Sequence, residues 1–217
     1  MKDLFLMLLA DARLPTAGHT QSATLEPAVG HGLGAEDVAG YIDLRLRTVT
    51  RVEAATGVVA LHHLRQGMSI DPVELAWAAR TPSAAMRSTS RAMGRAFLRI
   101  AVRLWPDHPS LRVVGPGTSR AVVLAAAADA CGLSPGALAK LIGYDDVQTV
   151  ASAALKLLPL DPADAAVWVR DALPSVERLA RDVAALIDPA DIPAAGAPQI
   201  EAWAEAHAVA TRRLFSA

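Results

Sequence analysis

The stretch EDVAGYIDLRLRTVTRVEAATGVVALHHLRQ, Glu36 to Gln66, decides the fold class. Within it Val38, Ile42, Leu46, Val49, Val52, Ala55 and Val59 recur at steps of three or four residues, which lines them up on one face of an α-helix. The spacing predicts one long amphipathic helix over the whole stretch, and the same period continues on both sides. Upstream, a first helix is expected from Asp3 to Ala12. It stops at Leu14-Pro15-Thr16-Ala17-Gly18, because the residue before a proline avoids helical dihedrals. A short helix near Leu25 to Val29 follows. Downstream, helices are expected from Asp71 to Arg80, from Pro82 to Leu104, from Thr118 or Ser119 to Ala130, and from Ser134 to Leu158 with a break at Gly143. Two more run from Asp161 to Ile187, with a kink or restart at Pro174, and from Gln199 to Leu214. In the helix ending at Leu104 the expected buried side chains are Met86, Met93, Phe97, Ile100 and Leu104. Only Leu111 to Val114 alternates with period two. The chain reads as all-α, a single-domain bundle of roughly nine or ten helices. Its core is expected over residues 1–187, followed by a Pro/Ala/Gly-rich linker and C-terminal helix over residues 188–217.

Composition bounds the function classes. The 217 residues suffice for a sizeable core, and 21 Lys+Arg against 22 Asp+Glu give a net charge of -1. That balance carries no general attraction to nucleic acid or to an anionic membrane. Apolar residues make up 53% of the chain but aromatics only 4%, since much of the apolar content is alanine, the best helix former. The run Ala121 to Ala128 falls far short of the ~20 apolar residues that cross a bilayer. Leu4 to Ala10 has the look of a signal-peptide core, but Asp3 cancels Lys2 and Asp11 interrupts the run, so a buried first helix is expected instead. The lone Cys131 excludes an internal disulfide and fits a reducing cytoplasm.

Patterns for catalysis are missing. Lys2, Lys140 and Lys156 all lie away from any G-x-x-x-x-G-K-[ST], and Gly115-Pro116-Gly117-Thr118-Ser119 imitates a phosphate loop only superficially, because its proline removes a donor amide. The histidines (His19, His31, His62, His63, His108, His207) form no H-x-x-x-H or H-E-x-x-H pair. His62 and His63 point about 100° apart on a helix, one expected at the surface and one semi-buried. Asp11, His19 and Ser22 supply the residue types of a nucleophilic triad, but no G-x-S-x-G elbow surrounds Ser22. No catalytic residue, cofactor or metal ligand is therefore expected. A rival reading is a helix-turn-helix DNA-binding regulator, with Leu133 to Tyr144 as first helix and turn and Asp145 to Leu155 as recognition helix. Asp145 and Asp146 would then face phosphates and repel them, which favours two packed helices.

The polar stretch Asp11-Ala12-Arg13-Leu14-Pro15-Thr16-Ala17-Gly18-His19-Thr20-Gln21-Ser22-Ala23-Thr24-Leu25-Glu26 resembles the opening signature of the UreF family of urease accessory proteins, roughly D-S-x-x-P-x-G-x-F-x-H-S-x-G-L-E. Asp11, Pro15, Ser22, Leu25 and Glu26 match it. Ala12 stands at the serine, Ala17 at the first glycine, His19 at the aromatic, Gln21 at the histidine and Thr24 at the second glycine. Arg87 to Arg95 is similar to the family's R-x-x-S-x-x-x-G helix, where Ser90 and Gly94 form a small-residue stripe and Arg87 lies one turn earlier. Ser152 to Leu160 is similar to S-A-x-x-R-L-x-P-L-G-Q, with Lys156 for the arginine. The resemblance implies a cytoplasmic, non-catalytic adaptor, usually dimeric, that binds the UreD/UreH scaffold and recruits the GTPase UreG. The assembly docks on apo-urease for nickel insertion. Pro15, Ser22, Glu26, Arg87, Ser90, Gly94, Lys156, Trp203 and Phe215 are the expected partner-binding residues.

Two features lie outside that resemblance. Arg87, Arg91, Arg95, Arg99 and Arg103 follow one another at steps of four, a row that drifts by about 40° per step, so part of it must border the core while part faces solvent. Ile200, Trp203, His207, Ala210 and Leu214 share a face of the last helix, which either packs on its own domain or orders on a partner, with Arg212, Arg213 and Phe215 beyond it. The mean hydropathy of +0.29 places surplus apolar surface in Leu14 to Leu25 and around Trp203 and Leu214.

Overall fold

A computed structural model of the chain describes residues 1–15, 20–211 and 213–215. Among them there are eleven α-helical segments, two no longer than six residues, and no strand. The all-α class is as expected. The helices are α1 (Lys2–Leu9), α2 (Leu25–Gly30), α3 (Val38–Arg47), α4 (Val49–Arg65), α5 (Asp71–Arg80), α6 (Ala84–Leu104), α7 (Pro109–Arg112), α8 (Arg120–Ala130), α9 (Pro135–Leu157), α10 (Pro162–Val183) and α11 (Pro198–Ala208).

Helices α4 and α8 form the centre. From Ala121 to Ala128 no residue is more than 1% exposed, and α4 is buried on nearly every side from Val52 to Leu64. A helix apolar all round must be enclosed by others, and α8 is built mainly of alanine because neighbours surround it too closely for larger side chains. Helices α6 and α9 pack against α8 and α4, and α10 covers α9.

Several boundaries differ from the sequence reading. The stretch Glu36 to Gln66 is two helices, α3 and α4, because Thr48 leaves the helical region at φ -121° and ψ -102°. All seven apolar positions of the pattern are nevertheless buried. No break occurs at Gly143: α9 runs through it, and a Cβ there would stand 3.2 Å from Val176 and Leu179, so this glycine lets α10 approach. The continuous helix also removes the helix-turn-helix geometry, because no turn separates the two halves. Helix α10 likewise continues through Pro174, and α11 stops at Ala208, short of Leu214. In α6 the buried stripe is Ser90, Gly94, Phe97 and Ala101; Met86, Met93 and Ile100 are only partly buried, and Leu104 is exposed. Small residues turn inward because α6 meets the N-terminus of α8 backbone to side chain. Helix α1 is only partly buried: Leu4, Met7 and Leu8 are exposed, Leu9 is buried, and Phe5 and Leu6 pack half-buried against the core. Leu25 is fully buried and Leu14 half-buried, while Val209 and Leu214 are exposed, as are Leu4 and Met7 on α1.

Candidate partner-docking site

A cavity of about 150 Å³ opens between the segment Gln21 to Thr24, α4, α6, α9 and α11. Its walls hold Arg45, Glu53, Arg120, Asp145, Asp146 and His207, a dense set of charges for an alanine-rich bundle.

Asp146 organises the inner wall. It accepts from Arg45 Nε at 2.9 Å and Nη2 at 2.6 Å, and from the Thr50 hydroxyl at 2.8 Å. The third guanidinium nitrogen of Arg45, Nη1, donates to the Ala23 carbonyl at 2.9 Å, and the Tyr41 hydroxyl donates to the same oxygen at 2.8 Å. Burial opposes the Arg45 charge, but the carboxylate of Asp146 outweighs it and raises the guanidinium's pKa, while burial pushes the Tyr41 phenol up to about 12. Next to this node Arg120 pairs with Asp145 at 2.7 Å. Asp145 and Asp146 thus point inward to guanidiniums, the reverse of an orientation toward phosphates. Glu53 accepts from the Trp77 indole at 2.7 Å, and burial raises its carboxyl pKa.

Glu26 does not itself line the cavity but holds His207 of the outer wall. Its carboxylate accepts from His207 Nε2 at 3.0 Å, from the Leu214 amide at 2.5 Å and from the Phe215 amide at 2.9 Å. The Phe215 ring is buried to 4% exposure, with Lys156 Nζ 5.0 Å from its centre. Trp203 lies 6.1 Å from the His31 ring at the end of α2. Glu205 of α11 accepts from the Ser83 hydroxyl at 2.6 Å and the Ala85 amide at 2.9 Å, which holds its pKa down and ties α11 to the start of α6. The last helix therefore packs on its own domain.

Between the two walls the chain is strained. Ala23 and Thr24 have φ of +50° and +64°, the left-handed region that favours glycine. Thr24 stands where the signature has its second glycine, so the backbone angle is kept without the residue that adopts it freely.

The expected partner-binding residues fall into two groups, with Arg87 and Pro15 outside them. Glu26, Lys156 and Phe215 come together at the C-terminal clasp, with Trp203 of α11 against His31 at the end of α2, and with Ser22 buried and its hydroxyl 3.4 Å from the Glu26 amide. Ser90 and Gly94 face inward: the Ser90 hydroxyl accepts from the Arg120 amide at 3.1 Å, and a Cβ on Gly94 would stand 2.6 Å from the Thr118 carbonyl. Arg87 bonds the carbonyls of Thr81 and Pro82, at 2.6 and 2.7 Å, on its own side of the molecule and not across the α6–α8 contact. Pro15 is exposed and apart from both groups. Of the triad candidates, Asp11 pairs with Arg13, which lowers its pKa to about 2, Ser22 is buried, and His19 lies outside the described residues, as does Arg212. His63 is buried and bonded to the Ser69 carbonyl, and His62 is half-buried.

Sequence reasoning missed Arg45, Thr50 and Glu205. The available signal was Arg45 itself, a charge set among Val38, Tyr41, Ile42 and Leu46 on the apolar face of α3.

The UreF family profile matches residues 33–173. A urease accessory protein UreF from Mycobacterium sp. (strain JLS) is 35% identical over 213 residues, covering 97% of each chain. The chain belongs to the UreF family. Relatives with the same description from Mycolicibacterium vanbaalenii and Mycobacterium tuberculosis (strain ATCC 25618 / H37Rv) are each 33% identical, over 214 and 213 residues. Two of the three UreF-like segments, around Arg87 and around Lys156, lie inside the matched region; the signature ending at Glu26 precedes it. Among the described residues no helix is long and apolar enough to cross a membrane.

Proposed function

We propose that this chain is a non-catalytic, cytoplasmic adaptor of urease maturation that works with other urease accessory proteins. In this reading it binds the UreD/UreH scaffold as a homodimer, recruits the GTPase UreG, and joins the assembly that inserts nickel into apo-urease. Nickel is the cargo, and nucleic acid and membrane play no part. The observation that carries the reading is similarity to proteins named as urease accessory proteins over 97% of the chain.

The clasp adds a structural reason. Glu26, Lys156 and Phe215 gather where the backbone amides of Leu214 and Phe215 meet one carboxylate, with Trp203 on the neighbouring α11, a surface that a partner can extend or remodel. Residues 188–217 then form the unit that reorders on the scaffold, while residues 1–187 stay fixed. Ser22, Ser90 and Gly94 support that surface from inside by fixing the approach of α2 and α8. Arg87 holds the turn from which α6 starts, and Pro15 offers an exposed edge of the N-terminal segment.

Reconstitution tests the proposal. Apo-urease, the scaffold, the GTPase, GTP, bicarbonate and nickel are combined with and without this chain, and urease activity is followed. Activation should require the chain, and equal activation without it would overturn the adaptor role.

A further inference from the structure

Helix α6 carries five arginines and no acidic residue over 21 positions. The structure divides the row. Arg87 is tied to carbonyls, and Arg91 lies 5.4 Å from the Trp77 ring centre; both are half-buried. Arg95, Arg99 and Arg103 are exposed, and none of the three has an ion pair or side-chain hydrogen bond among the described residues. Four other exposed arginines are neutralised within the chain, Arg13 by Asp11, Arg47 by Asp43, Arg112 by Asp107 and Arg170 by Asp171, while Arg178, Arg181 and Arg213 have no ion pair among the described residues but do not form a row on one helix face.

At 100° per residue, Arg95, Arg99 and Arg103 share about 100° of helix circumference with Ser88, Ala92 and Val102. All six are exposed, and they lie opposite the buried stripe Ser90, Gly94, Phe97 and Ala101. Successive guanidinium stems are about 6 Å apart along the axis, so the three repel one another and none is ion-paired among the described residues.

We propose that this face of α6 docks a carboxylate-rich protein surface on another member of the accessory assembly, a step that rests on the adaptor reading above. Guanidinium forks match carboxylates bidentately, so such a partner both pairs the charges and relieves their mutual repulsion. Ser88 and Ala92 keep the first half of the face low, so a partner element can lie close. Val102, 38% exposed, adds an apolar contact beside Arg99 and Arg103. A phosphate polymer or lipid surface fits less well, because the whole chain has a net charge of -1 and this face holds no lysine and, among its apolar side chains, nothing larger than Val102.

The test uses the full chain with R95E/R99E/R103E and R95Q/R99Q/R103Q, and R170E/R178E on α10 as a control. Affinities for the purified scaffold, the GTPase and apo-urease are measured at low and moderate salt, together with thermal unfolding. Charge reversal should weaken binding of one component by about 30-fold or more, neutralisation by less, with the control and the unfolding temperature unchanged. Wild-type binding of that component should weaken with salt. The inference is overturned if both variants bind every component as wild type does. It is also overturned if the row instead carries binding to random duplex DNA or to phosphatidylserine vesicles. Should the wild-type chain bind none of the three proteins, the adaptor reading fails and the protein partner proposed for this face goes with it.

Discussion

Asp146 and Glu26 do the same formal task in two different settings. Asp146 gathers Arg45 and Thr50, 101 and 96 residues away; Glu26 gathers His207, Leu214 and Phe215, 181, 188 and 189 residues away. At Asp146 the main donor is a guanidinium 8% exposed, held between α3 and α9. At Glu26 two of the three donors are backbone amides of a chain end. The inner clamp can be lost only by leaving a charge inside the bundle, whereas the outer clasp can open and return its amides to water. A carboxylate can therefore hold the fold or hold a releasable segment, and its donors determine which.

Removing Asp146 is the largest way to break the comparison. Asp146→Ala leaves Arg45 buried without its counter-charge and should destabilise the protein by about 3–5 kcal/mol. Urea unfolding of the variant checks this, and Arg45→Met/Asp146→Leu should recover much of the loss, since an apolar pair needs no compensation. A loss below 1 kcal/mol would mean that water reaches the pair and that the inner clamp resembles the outer one.

Glu26→Ala should act locally. Its three bonds close only the C-terminal segment, so global stability should fall by about 1–2 kcal/mol, while trypsin cleavage after Arg213 accelerates by about tenfold. Equal loss in both measurements would show that the clasp belongs to the core.

Glu53 also lines the cavity beside Asp146, with an indole donor and no ion pair. Burial raises its pKa above the unfolded value of 4.5, so the folded chain holds this proton where the unfolded chain has released it. This contribution therefore makes stability fall as pH rises from the unfolded pKa through the raised folded one. Glu53→Gln keeps an oxygen for Trp77 and removes the titration. Its unfolding free energy relative to wild type should improve steadily as pH is raised through that window, with the gain levelling off above it.

Much of this was legible. The three- and four-residue spacing from Val38 to Val59 identified the buried faces of α3 and α4, since burial follows the helical period whether or not the helix is continuous. The division at Thr48 was not legible, because threonine carries no strong breaker signal. Gly143 misled for the opposite reason: a glycine marks either a break or a close approach, and only Val176 and Leu179 from α10 decide which. Met86 and Met93 looked like core because hydrophobicity outranks size in a periodic reading, but the approach of α8 favours serine and glycine. Glu26 and Phe215 were singled out separately, and nothing local predicts that a tail 189 residues away ends on that carboxylate.

The smallest expected effect lies where the two clamps meet. The Ala23 carbonyl is held by Arg45 and Tyr41 of the inner clamp, and Thr24 leads directly into α2, which carries Glu26. Fixing both sides forces φ of +64° on a β-branched residue, a conformation that costs roughly 1–2 kcal/mol for any side chain with a Cβ. Thr24→Gly removes that strain but gives the unfolded chain more freedom, which opposes the gain. The net result should be a stabilisation of about 0.5–1 kcal/mol in wild type. The strain exists only while the inner clamp pins Ala23, so the gain should shrink in an Arg45→Met/Asp146→Leu background and persist in Glu26→Ala. The opposite pattern would place the strain in the outer clasp, and a double-mutant cycle on unfolding free energies separates the two.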